Sequence, residues 1–311
     1  MPLIPTFADF CRNAGWSPAT IDSPPDVRWA IYDQAVGQHV AQIMEDLSGS
    51  DLAGGILHVL SEDVIGSHLG EDWYLRHVTG SDTSRIAKTY LRLNPDHHRV
   101  VRLLSQHRTH ELARRLYEFQ SFDWFPGVVE GLTTRELSGA SFELNVLRLL
   151  HLASGPVTVK VPTGEKGADF DFSTVVVGRN VPFEAKAKDD TTTFTSKTLI
   201  RTVKGAATQF PKGEQGILFM RIPTGWVGSR LEDSYVDALA DGSRQTSRIG
   251  AVISWIDKPL LRSPDSSFGH VTTHLHYFKH PDCNAALWDF CLTLKGLWEA
   301  DLFLLAPDAP F

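Results

Sequence analysis

Gly167-Ala-Asp-Phe-Asp-Phe-Ser-Thr-Val-Val-Val-Gly-Arg-Asn-Val-Pro-Phe-Glu-Ala-Lys-Ala-Lys188 holds two β-rich runs, Phe170 to Val177 and Val181 to Lys188, around Gly178-Arg179-Asn180. Those three residues tolerate the positive φ of a tight turn, so the stretch is expected to form two antiparallel strands. Side chains in a strand alternate between its faces. Asp169 and Asp171 are therefore expected on one face at the open end of the first strand, and Glu184, Lys186 and Lys188 on one face of the second. Phe170, Phe172, Phe183, Ala185 and Ala187 are expected to point the other way.

Acids gathered on a packed hairpin suggest a particular chemistry. Carboxylates held within a few ångströms raise each other's pKa unless a cation lies between them, which suits a divalent metal. Lys186, on the same face, is placed to hold a nucleophilic water and to stabilise charge developing on a phosphoryl oxygen. On this stretch alone a second reading stays open, a solvated sheet face with acids and lysines paired across strands.

The flanking sequence narrows the choice. Upstream, Ser141 to Leu152 is expected to be a helix with Phe142, Val146, Leu149 and Leu150 as its buried stripe, and Glu143 lies one position off that stripe. Val157 to Val161 then forms a β run, Ser196 to Phe210 a second helix, and Gly216 to Pro223 a buried strand. Asp169, fourteen intervening residues and then Glu184-Ala185-Lys186, in this order of elements, resembles the signature of the PD-(D/E)XK phosphodiesterase superfamily, the restriction-endonuclease-like nucleases. Ala168 stands where the motif has Pro.

The resemblance covers about residues 135 to 223 and implies an α/β (α+β) fold, a restriction-endonuclease-like mixed β-sheet flanked by helices. It implies that Asp169 and Glu184 bind Mg2+ or Mn2+ together with the Ala185 carbonyl, and that Lys186 positions the attacking water. Glu143 would support the water or a second ion, and Asp171 and Gln209 would assist. The activity implied is metal-dependent nuclease action on DNA rather than RNA, with defence against foreign DNA as a suitable role. The alternatives are a catalytically inactive nucleic-acid or protein-binding module on the same core, and an RNase.

Charge is distributed in keeping with such a substrate. The chain of 311 residues has a formal net charge of −7, which argues against a protein that coats nucleic acid nonspecifically. Residues 156 to 221 nevertheless hold ten Lys and Arg against seven Asp and Glu, while the rest holds 20 against 30. Positive charge is thus concentrated around the hairpin. Lys197, Arg201 and Lys204 follow steps of four and three on the second helix, and with Lys188 they are the candidate phosphate contacts.

Composition at 42% hydrophobic is enough to bury a core. No run approaches a membrane span, the N-terminus lacks a signal-peptide pattern, and Cys11, Cys283 and Cys291 fall in no paired metal spacing. A cytoplasmic location with reduced thiols is expected. There is no phosphate-binding Gly-rich loop, nucleophile elbow or Cys-x-x-Cys pair, so nucleotide hydrolysis, acyl transfer and zinc-ribbon binding lack their markers.

Two regions are expected, a helical accessory region over 1–130 and the nuclease domain over 131–311. The first should contain helices near 6–14, 26–48, 51–64 and 81–93, and a longer one from about 96 with Val100, Leu103, Leu104, Leu112, Leu116 and Phe119 buried. His97, His98, His107 and His110 are expected on a solvated, Arg-rich helix face, and Phe122 to Gly127 in a packed connection. Late in the chain a helix is expected over 229–240, a strand over 249–255 and a helix over 284–300. His270, His274, His276 and His280 would share one face of an extended run of about 33 Å, too long for a common ion. The helical region, or the tail with Phe303 and Phe311, would offer a homodimer or protein contact.

Overall fold

A computed structural model of the chain describes residues 61, 64–79, 90–91, 98–120, 122–160, 167, 169–226, 232–261 and 269–299. The helices expected at 6–14 and 26–48, most of those at 51–64 and 81–93, and the expectations for Cys11, His97, Ala168, Phe303 and Phe311 lie outside the described residues. The chain divides into two compact units: Met1–Leu137 with Leu261–His270 and Leu304–Phe311, and Ser138–Leu260 with Val271–Phe303. No helix among the described residues is long and apolar enough to cross a membrane.

In the first unit, α1 (Arg99–Phe119) buries Leu104, Leu112, Leu116 and Phe119 at the steps its sequence predicts. Its arginine-rich side is less solvated than expected. Arg108 and Arg115 are buried, the first over the Tyr90 ring at 4.7 Å and the second against Glu118 at 3.4 Å. His98 is exposed, whereas His107 and His110 are half-buried and His107 lies 3.6 Å from Glu111. Phe122 and Trp124 stack on each other and meet Phe119 edge-on, the packed cluster expected of them. Pro126 does not break the chain there: it sits in the first turn of α2 (Phe125–Thr134), where its missing N–H has no intrahelical partner to lose.

The second unit is built on a six-stranded sheet in the order β1 to β6, with β1 (Thr158–Val159), β2 (Phe172–Val176), β3 (Arg179–Ala187), β4 (Gly216–Arg221), β5 (Ile249–Leu261) and β6 (Gly269–Lys279). β1 and β3 run antiparallel to β2, and β4 runs parallel to both β3 and β5. Contacts from Thr272 to Lys258 and from His280 to Gly250 run in opposite directions along β5 and β6, as antiparallel neighbours do. This is a mixed α/β architecture. The run from His270 is indeed one strand, with His274 exposed and His280 just past its end accepting a bond from Asp282 N–H.

Both faces of the sheet are covered, which is why all six residues of β4 are buried. On one face α4 (Ser196–Ala207) and α5 (Glu232–Arg244) pack Leu199, Val203, Tyr235 and Leu239 over Leu218, Met220, Val252 and Ile256. Fully burying each such aliphatic chain contributes roughly 1.5–3 kcal/mol. On the other face, α3 (Leu137–Ser154) sets Phe142 edge-on against Trp255, and α6 (Ala285–Glu299) sets Phe290 against Phe183. Gly216, at the entry to β4, has no room for a side chain, since a Cβ would stand 2.5 Å from the Pro182 carbonyl oxygen.

The hairpin differs from its expectation in two places. Its turn is Val177-Gly178, both with positive φ (48° and 74°), and the pair Val176↔Arg179 already returns the chain to β3. A two-residue turn of this hand matches the twist of the flanking strands, so Arg179 and Asn180 belong to the strand rather than the loop. At the other end β2 begins only at Phe172. Phe170 joins the core under α4 and α5, while Phe172 pairs with Phe183 on the α6 face, so the alternation expected through Phe170 and Phe172 is broken. The breadth of the α4/α5 core explains this: burying Phe170 there outweighs continuing a regular strand.

Candidate functional site

β3 carries the centre of the site. Its alternation sends Phe183 into the aromatic packing with Phe219 and Phe290, and turns Glu184, Lys186 and Lys188 to the opposite face, as the sequence predicts. Glu184 is only 1% exposed, and the Lys186 ammonium sits directly on its Oε1. Lys186 itself reaches outward, with 40% of its side chain exposed.

The second acid comes from just before β2. Continuing the register Phe172↔Phe183 by one residue sets Asp171 opposite Glu184. Asp171 Oδ2 accepts a 2.7 Å hydrogen bond from the Ala185 N–H, and its carbonyl accepts one of 2.9 Å from Lys160. The carboxylate is thereby held beside Glu184 by backbone at both ends. Asp171 acts on Glu184 both through charge and through a hydrogen bond that exists only with a proton between the two carboxyls.

These placements set the protonation of the site. Burial first, and Asp171 second, push the Glu184 carboxyl up to about 8, against the opposing pull of Lys186. Burial by itself would lower Lys186, yet Glu184, Asp171 and Glu143 together hold it above the ordinary lysine range. Glu143 is half-buried in the second turn of α3, next to the buried Phe142, and it contributes to the field at Lys186. Lys188 is lowered by burial and by the charge of Lys186. Glu143, Asp171, Glu184, Lys186 and Lys188 thus act on one another as one electrostatic cluster.

The remaining candidates are placed as follows. Asp169 is half-buried in the irregular segment ahead of β2, and the acid registered by both Glu184 and Lys186 is Asp171, named from sequence only as an assistant. Its position opposite Glu184 follows from the two-residue turn at Val177-Gly178, a signal that a β-branched residue at the first turn position concealed. Gln209 lies beyond α4 rather than on it, in a turn closed by its N–H on the Ala206 carbonyl. Lys197, Arg201 and Lys204 are all exposed on α4.

Can these residues hold a metal? Among the described residues no three His, Cys, Asp or Glu side chains stand together as ready ligands. Two carboxylates do face each other, however, and Glu184 Oε2 is buried with no hydrogen-bond donor. A buried carboxylate oxygen without a donor costs about 1–3 kcal/mol or more, and a hard cation between Glu184 and Asp171 would relieve both that cost and the repulsion between the two carboxylates. The donors fit Mg2+ or Mn2+, with Asp171, Glu184 and the Ala185 carbonyl as the residues that would hold it and waters completing the shell. Compared with protein-family models, curated proteins and solved structures, the chain gives no match.

Proposed function

We propose that this protein is a metal-dependent nuclease that hydrolyses phosphodiester bonds, with DNA as the substrate. The observation that carries the reading is Glu184, a buried carboxyl facing Asp171 across the hairpin with the Lys186 ammonium beside it. A buried acid held beside a second, half-buried one against their repulsion, with a partly exposed lysine alongside, is the arrangement a hydrolytic centre needs.

A bound Mg2+ or Mn2+ would supply positive charge at a phosphate oxygen and lower the pKa of a coordinated water. The protein's own residues do the rest. The Ala185 N–H keeps the Asp171 carboxylate turned toward Glu184. Lys186, fixed at its base by β3 with its ammonium on Glu184 and its side chain partly exposed, orients the attacking water and stabilises the charge that builds on the phosphoryl group. Against the lowering effect of burial, Glu184 and Asp171 first, and Glu143 after them, hold Lys186 above the ordinary lysine range. Water adds to phosphorus and releases a proton to solvent, the bond to the leaving oxygen breaks, and that oxygen takes up a proton from solvent.

The test is cleavage of supercoiled plasmid by purified protein with Mg2+ or Mn2+, with RNA offered in parallel. Glu184→Ala and Lys186→Ala should each lose roughly 10²-fold or more in rate while keeping the circular-dichroism spectrum of the wild type. A wild-type protein that cuts neither polymer with any divalent ion would remove the reading. One observation favours a second account, in which the contact between the Lys186 ammonium and Glu184 is structural. A non-catalytic binding module would then bind nucleic acid equally well with and without Mg2+.

A further inference from the structure

α4 has two sides of opposite character. Leu199, Val203, Ala206 and Ala207 are buried, whereas Lys197, Arg201 and Lys204 are exposed, and residues 196 to 212 contain four Lys or Arg and no acid. The three exposed cations span seven residues, about 10 Å of helix. α5 packs on α4 where Gly242 brings the backbones together, a Cβ there meeting Val203 at 3.2 Å and Ile200 at 3.4 Å. The exposed side of α5 carries Asp237 and Asp241, the latter paired at 3.2 Å with Arg244 in the last turn of the same helix. Two touching helices therefore present opposite charge to solvent within one helix diameter, in a protein whose net charge is −7.

The basic helix is also fixed relative to the hairpin. The segment between β3 and α4 is pinned by the Trp226 indole N–H, which donates to the Thr192 carbonyl at 2.7 Å, and by Phe194 packed edge-on against Trp226. Thr195 caps the helix by accepting from Thr198 N–H. A cationic row held this firmly pays little ordering cost when it meets a ligand.

We infer that the exposed face of α4 is a track for the backbone of one polynucleotide strand, taking three successive phosphates on Lys197, Arg201 and Lys204, with the acids of α5 bounding it. A strand of B-DNA presents one phosphate per about 3.4 Å of axis, so three successive phosphates span about 7 Å of axis, within the length of a row of about 10 Å. Contacts of this kind position the strand without reading its bases. The identity of the ligand as a phosphodiester rests on the reading of the hairpin given above. Lys188 stays with the hairpin, since it is half-buried beside Lys186.

The test measures fluorescence anisotropy of a 30-base-pair duplex, and of single-stranded DNA and RNA of equal length, against wild type and K197A/R201A/K204A in EDTA between 50 and 300 mM salt. The slope of log affinity against log salt should fall by about 2–3 in the triple variant, with affinity about 10- to 100-fold weaker at 100 mM. An unchanged slope overturns the track. Plasmid cleavage by the wild type in Mg2+ is run beside it. Cleavage with an unchanged slope removes the track and leaves the nuclease, whereas no cleavage with a reduced slope keeps the track and removes the nuclease. A triple variant that dissociates a wild-type oligomer while binding nucleic acid normally makes the face a contact between copies, and overturns the track as well.

Discussion

Two acid–base pairs with a buried carboxyl lie in the same sheet, and they are built on different principles. Asp257 on β5 is saturated: Oδ2 takes Arg221 from β4, and Oδ1 accepts from the Trp255 indole at 3.2 Å and from the Thr273 hydroxyl at 2.9 Å. Glu184 on β3 has Lys186 on one oxygen, no donor on the other, and a second carboxyl across the hairpin. A buried polar network with every lone pair engaged stabilises and specifies a fold, whereas one left incomplete costs stability. On the function proposed above, the difference separates a structural pair from a catalytic one. Arg221–Asp257 repays its desolvation inside the protein, and Glu184–Asp171 leaves a deficit that only a cation or a proton can fill.

The largest effect should come from breaking the saturated pair. Asp257→Ala leaves the buried Arg221 without its carboxylate and the Trp255 and Thr273 donors without their acceptor. Unfolding in urea should show a loss of about 3–5 kcal/mol, the usual cost of stranding one buried charge. A loss below about 1 kcal/mol would mean that the two pairs are not different in kind.

Glu184→Gln should act in the opposite direction. The folded-state pKa of about 8 lies above the ordinary value of 4.5, so the protonated carboxyl is the form that folding favours. Its contribution is complete below about pH 4.5 and is lost as pH rises through about 8. Wild-type stability should therefore decline across that window, and the Gln variant, which cannot ionise, should lack this part of the decline. At pH 9 the variant should be the more stable by on the order of 2–4 kcal/mol, while in the plasmid assay it is inactive. Equal pH profiles for the two proteins would show that Glu184 is ionised in the apo fold and already satisfied.

Much of this contrast was legible in the residues, and the parts that were not have physical reasons. The alternation of Phe183, Ala185 and Ala187 against Glu184 and Lys186 follows from strand geometry alone, and the packing of Phe183 confirms it. The steps of four and three on α4 likewise predict the exposed row. Strand alternation puts Asp169 and Asp171 on one face and does not rank them; the resemblance assigns the first acid of its signature to Asp169, and only the tertiary core under α4 and α5 shows that Phe170 leaves the strand. The saturated pair was invisible for a similar reason. Arg221 and Asp257 are 36 residues apart, and their contact depends on β4 and β5 lying parallel. Polar residues at strand ends look solvated until the neighbouring strand is in place, which is also why β5 was expected to stop at Trp255 rather than Leu261.

Adding the cation should sharpen the same comparison with a smaller effect. Mg2+ or Mn2+ at one hundred times its dissociation constant would stabilise the wild type by about 2.7 kcal/mol, seen as a rise in melting temperature that EDTA reverses. The rise should be steeper at pH 8 than at pH 6, because an ion must displace the proton that Glu184 holds in that range. Glu184→Gln should lose most of the rise, and Asp257→Ala should keep it despite its lower starting stability. A rise that survives Glu184→Gln would locate the ion elsewhere.

The smallest effect belongs to the far end of the same hairpin, where the cost is conformational rather than electrostatic. Val177 is 80% exposed and has a φ of 48°, in the left-handed region that a β-branched side chain disfavours. Nothing packed against it offsets that cost, in contrast to Glu184, whose unfavourable burial is tied to the chemistry proposed for it. Val177→Asn would place Asn-Gly in the turn, the pair that best tolerates two successive positive φ values. Stability should rise by about 1 kcal/mol, read as an upward shift of the urea midpoint with an unchanged slope. Rates of plasmid cleavage should stay within twofold of the wild type, because the five residues of β2 separate the turn from Asp171, about 20 Å along the strand. A Val177→Asn protein that is more stable but slower would show that tension in the turn is transmitted to the acids, and would make the two ends of the hairpin a single device.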